Sequence, residues 1–200
     1  FLLLTLSACS MDQMVIRASS PMIEGGVEAL NRETDLELAE DSIPANLNML
    51  QGMINIDPEN VELHTYASQA FYGLSYGFNE DDRPQRASDF YLRGLDHGLK
   101  ALQFSGAGEL KDIPIGDFED RVNKLDRGDV PAMFWTASNW AKWIDMHRDD
   151  PEAIAQLARA TALMQRVLDL QDTFYFGGAH MYFGVYYGSR APMLGGNFDK

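Results

Sequence analysis

Two hundred residues make one domain of ordinary size, and a chain this long can bury roughly 70% of the surface its unfolded form exposes. With 46% apolar and 23% charged residues it is a globular composition, which excludes disorder and collagen-like fibre. Sixteen basic against thirty acidic residues leave a net charge of −14, which repels a phosphate backbone and argues against nucleic acid as a partner.

The chain opens on Phe1-Leu2-Leu3-Leu4-Thr5-Leu6-Ser7-Ala8-Cys9, an apolar run too short for a bilayer, which needs roughly 20 residues. It reads as the end of a secretion signal. Small residues before a single cysteine match the bacterial lipobox, in which the thiol is acylated. The alternative is a buried structural cysteine. Cys9 is therefore the expected lipidation site, with 1–8 a signal remnant, 9–21 a lipidated tether and 22–200 a helical domain. Acyl chains anchor at about 0.8 kcal/mol per buried CH₂. Ser10, rather than Asp, after the cysteine indicates the outer membrane. The other end stops in mid-pattern at Gly195-Gly196-Asn197-Phe198-Asp199-Lys200, as though cut short.

Between the ends the pattern is helical, with apolar residues recurring at three and four and no sustained alternation. Helices are expected over 22–40 and 44–55. The next, from Glu59 to about Asn79, carries Leu63, Ala67, Ala70, Leu74 and Phe78 on one stripe. Asp57-Pro58-Glu59 in front of it offers a cap, a first-turn proline and a carboxylate. A helix from about Pro84 carries Leu92, Leu95, Leu99 and Leu102. Its Gly94 and Gly98 cost helix stability, so another backbone should pack closely there. Ser105 to Gly128 reads as one long irregular connection, interrupted by a short helix near 117–126. Helices follow over 131–147, from Asp150-Pro151-Glu152 through Leu168, and over 175–190.

Some of these elements resemble tetratricopeptide repeats. Met53-Ile54-Asn55-Ile56-Asp57-Pro58 is similar to the junction between successive repeats. Ala67-Ser68 and Phe71, then Ala87, Tyr91, Gly94 and Leu95, keep the small and aromatic spacing of a repeat pair. The period does not hold, since Ile54, Leu95 and Leu168 stand 41 and 73 residues apart. The expected fold is all-α, degenerate tetratricopeptide-like hairpins stacked as a short α-solenoid, with a generic helical bundle as the alternative.

Catalytic chemistry finds little support. His64, His97, His147 and His180 fall on different helices with no zinc-protease spacing. No Gly-x-Ser-x-Gly elbow or P-loop occurs, and no metal or cofactor is called for. Acidic residues gather from Glu24 to Asp41, most simply as a solvated face. Phe134, Trp135, Trp140 and Trp143 do not share one face of their helix, which must be surrounded; Tyr175 to Tyr187 load another in the same way. Core packing explains this, and so does a cavity with aromatic walls. On the cavity reading Trp135, Asn139, Trp143, His180, Tyr187 and Arg190 are the candidate ligand- or partner-binding residues.

The lipobox, Pro44-Ala45-Asn46-Leu47, Tyr91-Leu92-Arg93-Gly94-Leu95, Asp129-Val130-Pro131-Ala132-Met133-Phe134-Trp135, Trp140-Ala141-Lys142-Trp143-Ile144, Arg166-Val167-Leu168-Asp169-Leu170 and Gly177-Gly178-Ala179-His180 together resemble the T-component family of TRAP transporters. The resemblance implies a non-enzymatic periplasmic lipoprotein partnering a TRAP-type solute-binding protein, homo-oligomeric as a trimer, and handing on small hydrophobic ligands. It also implies that helices completing the last repeat lie beyond Lys200. Two alternatives stay open: a scaffold lipoprotein for outer-membrane assembly, and a periplasmic enzyme using His180. The anchor has a direct test. Cys9→Ser is expected to release the protein from the membrane fraction, and unchanged sedimentation with membranes refutes the lipoprotein assignment.

Overall fold

A computed structural model describes residues 11–188 and 196–197, and among them every regular element is helical. Ten α-helices follow one another: α1 (Met11–Ala18), α2 (Ser20–Asn31), α3 (Leu36–Ile56), α4 (Val61–Phe78), α5 (Pro84–Leu102), α6 (Ile115–Val122), α7 (Val130–Met146), α8 (Pro151–Ala155), α9 (Leu157–Gln171) and α10 (Phe174–Gly188). The larger ones stack in series, α3 on α4, α4 on α5, α5 on α7, α7 on α9 and α9 on α10, with α4 also touching α7. This is the all-α, solenoid-like arrangement expected.

Several boundaries differ from the sequence reading. The expected helices over 22–40 and 44–55 are instead divided at residues 32–35, and Pro44 lies inside α3. Asp35 starts α3 because its carboxylate accepts from the Glu37 and Leu38 amides at 3.1 and 3.2 Å. An interior proline costs about 3 kcal/mol. Burial of Ile43, Leu47, Leu50 and Ile54, at about 1.5–3 kcal/mol for each side chain, outweighs that and carries the helix through. The helix after Asp150 has the expected cap, the Asp150 carboxylate accepting from Glu152 N–H at 2.9 Å. It breaks at Gln156 into α8 and α9. The expected irregular connection is partly ordered, since a π-helical turn over 103–107 closes α5 and α6 begins at Ile115.

The start of α4 is a second correction. Asn60, not Asp57, caps it, accepting from the Leu63 amide at 3.1 Å. Asp57 is buried and takes Arg17 Nε at 2.8 Å, Arg17 Nη2 at 2.9 Å and Asn60 Nδ2 at 2.9 Å. The Arg17 hydrogen bonds hold its carboxyl below the usual range despite burial. This pair seats α1 against the end of α3. The stretch read as a tether is thus helical from Met11, and Ile16 and Ile23 are buried with Leu50, Ile54 and Leu63.

The close approach expected at Gly94 and Gly98 is present, and α7 is the helix that makes it. A Cβ at Gly94 would strike the Asn139 carboxamide, and one at Gly98 would strike the Thr136 hydroxyl and stand 3.0 Å from Thr136 Cα. Asn139 is fully buried, donating through Nδ2 to Ser68 O at 3.0 Å and Trp135 O at 2.8 Å. It joins α4, α5 and α7 at one point. Alanine gains about 1 kcal/mol of helix propensity over glycine, but overpacking here costs about 1–3 kcal/mol. Gly94→Ala and Gly98→Ala are therefore expected to lower the urea midpoint with unchanged slope. Gly25→Ala, whose Cβ would meet nothing within 4 Å, should not. Equal behaviour of all three would refute the close-packing account.

Candidate functional groove

Stacking leaves one face of the series open, and a groove of about 1350 Å³ runs along it. That exceeds the roughly 300–1,000 Å³ of a usual small-molecule site. α2 and α3 form one wall through residues such as Ile23, Leu30, Ile43 and Leu50. α10 and the start of α9 form the other through Leu157, Met181, Tyr182 and Val185. The floor is α4 and α7. On α4, Ala70, Gly73 and Gly77 line it, and a Cβ at Gly73 or Gly77 would meet nothing within 4 Å. These glycines leave a channel where larger side chains would fill it.

Aromatic rings cross the floor in a connected row. Tyr76 stacks on Tyr72 at 5.7 Å, Tyr72 meets Trp135 at 5.5 Å, and Trp135 meets the Tyr175 edge at 4.7 Å. Edge-to-face and offset rings at such distances add about 0.5–1.5 kcal/mol per pair beyond burial. Burial pushes the Tyr72 and Tyr175 hydroxyls up from their ordinary value, so both stay neutral.

Most charge at the groove gathers at one end and is paired, while Glu33 lines the α2 and α3 side with its carboxylate accepting from the Thr34 and Asp35 amides. Lys142 Nζ donates to Glu80 Oε1 at 2.5 Å, lies 3.9 Å from Asp145 and sits 5.1 Å over the Tyr76 ring. Arg148 bonds Asp145, and Glu80 also accepts from the buried Tyr91 hydroxyl at 2.6 Å. Among the lining residues two cations, Lys142 and Arg148, answer two carboxylates, Glu33 and Asp145, which leaves the lining no net charge to select a charged ligand. Among the described residues no group of three or more His, Cys, Asp and Glu is placed for a metal, and no helix is long and apolar enough to cross a membrane.

The candidate residues from sequence are distributed rather than gathered. Trp135 lines the floor while 4% exposed. Asn139, one turn on, is committed to the helix crossing. Trp143 is half-buried and stacks on His147 at 4.7 Å, away from the groove. Tyr187 is half-buried against Phe183 at 5.9 Å. His180 is exposed, with Asp172 3.6 Å away. Cys9 and Arg190 lie outside the described residues. The sequence reading missed Tyr72, Gly73, Tyr76 and Gly77. Their signal was small residues at Ala70, Gly73 and Gly77, close to one helix face beside tyrosines.

The turn into α10 shapes the rim. Tyr175, Phe176 and Gly177 are left-handed, at φ 45°, 59° and 74°, a conformation that strains the two aromatic residues. Tyr175 is held by Phe134 and Trp135, whereas Phe176 is 93% exposed. Phe176→Gly removes strain and little buried surface, so it is expected to stabilise the fold by about 1 kcal/mol. A lower unfolding midpoint would show that Phe176 is held by contacts instead.

Residues 32–200 match the family model of the TRAP transporter T-component. No curated protein matches the chain.

Proposed function

Because the chain belongs to the TRAP transporter T-component family, and so has an accessory role in TRAP transport, we propose that its groove is the working surface of that role. On this reading the groove receives a small apolar solute and the chain docks a TRAP-type solute-binding protein to exchange it. The observation that carries the reading is the apolar channel of about 1350 Å³ with its glycine floor and balanced lining charges. An apolar guest gains about 25 cal/mol for each Å² of apolar surface it buries. Neutral tyrosine hydroxyls can orient it without demanding an ion. The α4 and α5 hairpin supports the adaptor role, since Ala67, Phe71, Ala87, Tyr91 and Leu95 are buried at tetratricopeptide-like spacing. Lipid anchorage at Cys9, a periplasmic location and a homo-oligomeric assembly belong to the same proposal, as does a role by binding rather than catalysis.

Gly73→Leu and Gly77→Leu test the groove directly. Each fills open space and improves helix propensity, so folding should persist while binding of the apolar dye N-phenyl-1-naphthylamine falls at least about tenfold, or about 1.4 kcal/mol. Co-purification with a TRAP-type solute-binding protein tests the partner. Undiminished dye binding by both folded variants would refute the groove as the solute site.

A further inference from the structure

His64 on α4 and His97 on α5 are both buried, 2% and 8% exposed, and the proposed function uses neither. Their Nδ1 atoms lie 2.9 Å apart. His64 Nε2 is 2.9 Å from the Pro58 carbonyl, and His97 Nε2 is 2.8 Å from Gln51 Nε2 on α3. The Pro58 carbonyl can only accept, so His64 carries its proton on Nε2. In a neutral His64 the Nδ1 atom is then bare and accepts from His97 Nδ1–H. That leaves His97 Nε2 bare to accept from the Gln51 amide. One unbroken chain, Gln51 to His97 to His64 to Pro58, therefore runs from α3 through α5 and α4 to the turn between α3 and α4.

Neutrality is a condition of this chain. A proton added at His97 Nε2 faces the Gln51 N–H group, and one added at His64 Nδ1 faces His97 Nδ1–H. Either addition turns an acceptor into a second donor and breaks a link. Rotation of the Gln51 amide could offer its oxygen to His97, but the imidazolium would still be buried. His97 stacks on Phe71 at 5.7 Å and His64 tilts against Phe104 at 5.8 Å. Among the described residues the charges that act on the pair are on α5: Arg93 and Lys100 oppose a proton on His97, and Asp96 favours one. In the turn before α4, Asp57 is already taken by Arg17 and Asn60. On α4, Glu62 is engaged by Ser20 and Tyr66.

We propose that His64 and His97 form a proton-operated latch that ties α3, a wall of the groove, to α5, and that acid opens it. Gln51 follows Leu50, which lines the groove, so release of Gln51 frees a wall rather than the core crossing of α5 and α7. Burial lowers both histidines, His97 to about 4 from its ordinary 6.5. An opened, solvated pair binds protons that the closed pair refuses. The closed state is therefore fully favoured above about pH 6.5 and progressively lost as pH falls toward about 4. The latch does not require that the groove hold a ligand.

Two measurements on the whole chain test it. Nitrogen NMR of the imidazoles at pH 7.5 is expected to find His64 protonated on Nε2 and His97 on Nδ1, with His97 taking up its proton well below 6.5. Amide exchange along residues 47–56, corrected for intrinsic rates, should quicken at least about tenfold between pH 7.5 and pH 5, while amides of α7 hold. In His97→Gln that acceleration should shrink to a fewfold. Opposite tautomers, titration at the ordinary value, or equal acceleration of α3 and α7 would each overturn the latch. The tautomer measurement uses the unaltered chain, so it decides the matter even if the variant does not fold.

Discussion

The rest of the architecture depends on the contact at which α5 and α7 approach with no α5 side chain between them. Gly94 and Gly98 give up helix propensity, and in return the Asn139 and Thr136 side chains occupy the space a Cβ would need. Asn139 turns that proximity into a junction, because its amide reaches Ser68 on α4 and the Trp135 carbonyl on its own helix. Its Oδ1 has no hydrogen-bond partner among the described residues, and the glycine backbone is what it packs against. Three helices are thereby fixed close together. The aromatic residues of α7 that face away from the glycines must then find other neighbours.

Those neighbours make the groove. With α5 close on one side, Phe134 and Trp135 turn toward the strained start of α10, where Tyr175 meets both rings. α4 contributes the opposite half of the floor, and its glycines keep the channel open. A solenoid-like order leaves such a surface because each helix packs mainly on its successor, so burial is complete along the stack and incomplete across its concave side. Pairing Lys142 with Glu80 and Asp145 keeps that end of the surface electrically quiet within a chain of net charge −14. The apolar character of the groove and the acidic exterior are therefore separate properties.

Legibility in the sequence followed the range of the interactions involved. Helices α4, α5 and α7, the Asp150 cap and the glycine pair that signals the close approach at Gly94 and Gly98 were all readable, because each signal rests on residues within a turn or two of one another. Asp57 misled for an informative reason. It has the chemistry of a cap, but Arg17, 40 residues earlier, binds it instead. Pro44 misled similarly, since burial of the row around it outweighs its local cost. Trp135 could be singled out as a groove residue, whereas Trp143, of the same type on the same helix, is held by His147 outside the groove. Helical spacing does not say which side of an all-round aromatic helix its neighbours leave open.

The sequence by itself determined an all-α chain with capped helices, a glycine-mediated crossing and the resemblance to the T-component family, because periodicity, capping chemistry and motif order are local properties. Only the tertiary structure decided that α1 docks through Arg17 on Asp57, that Tyr72, Tyr76, Trp135 and Tyr175 form one row, and that His64 faces His97. Each joins residues of different helices. Such meetings are set by the angles and offsets at which whole helices pack, which small residues at the crossings and the summed burial of many side chains govern together.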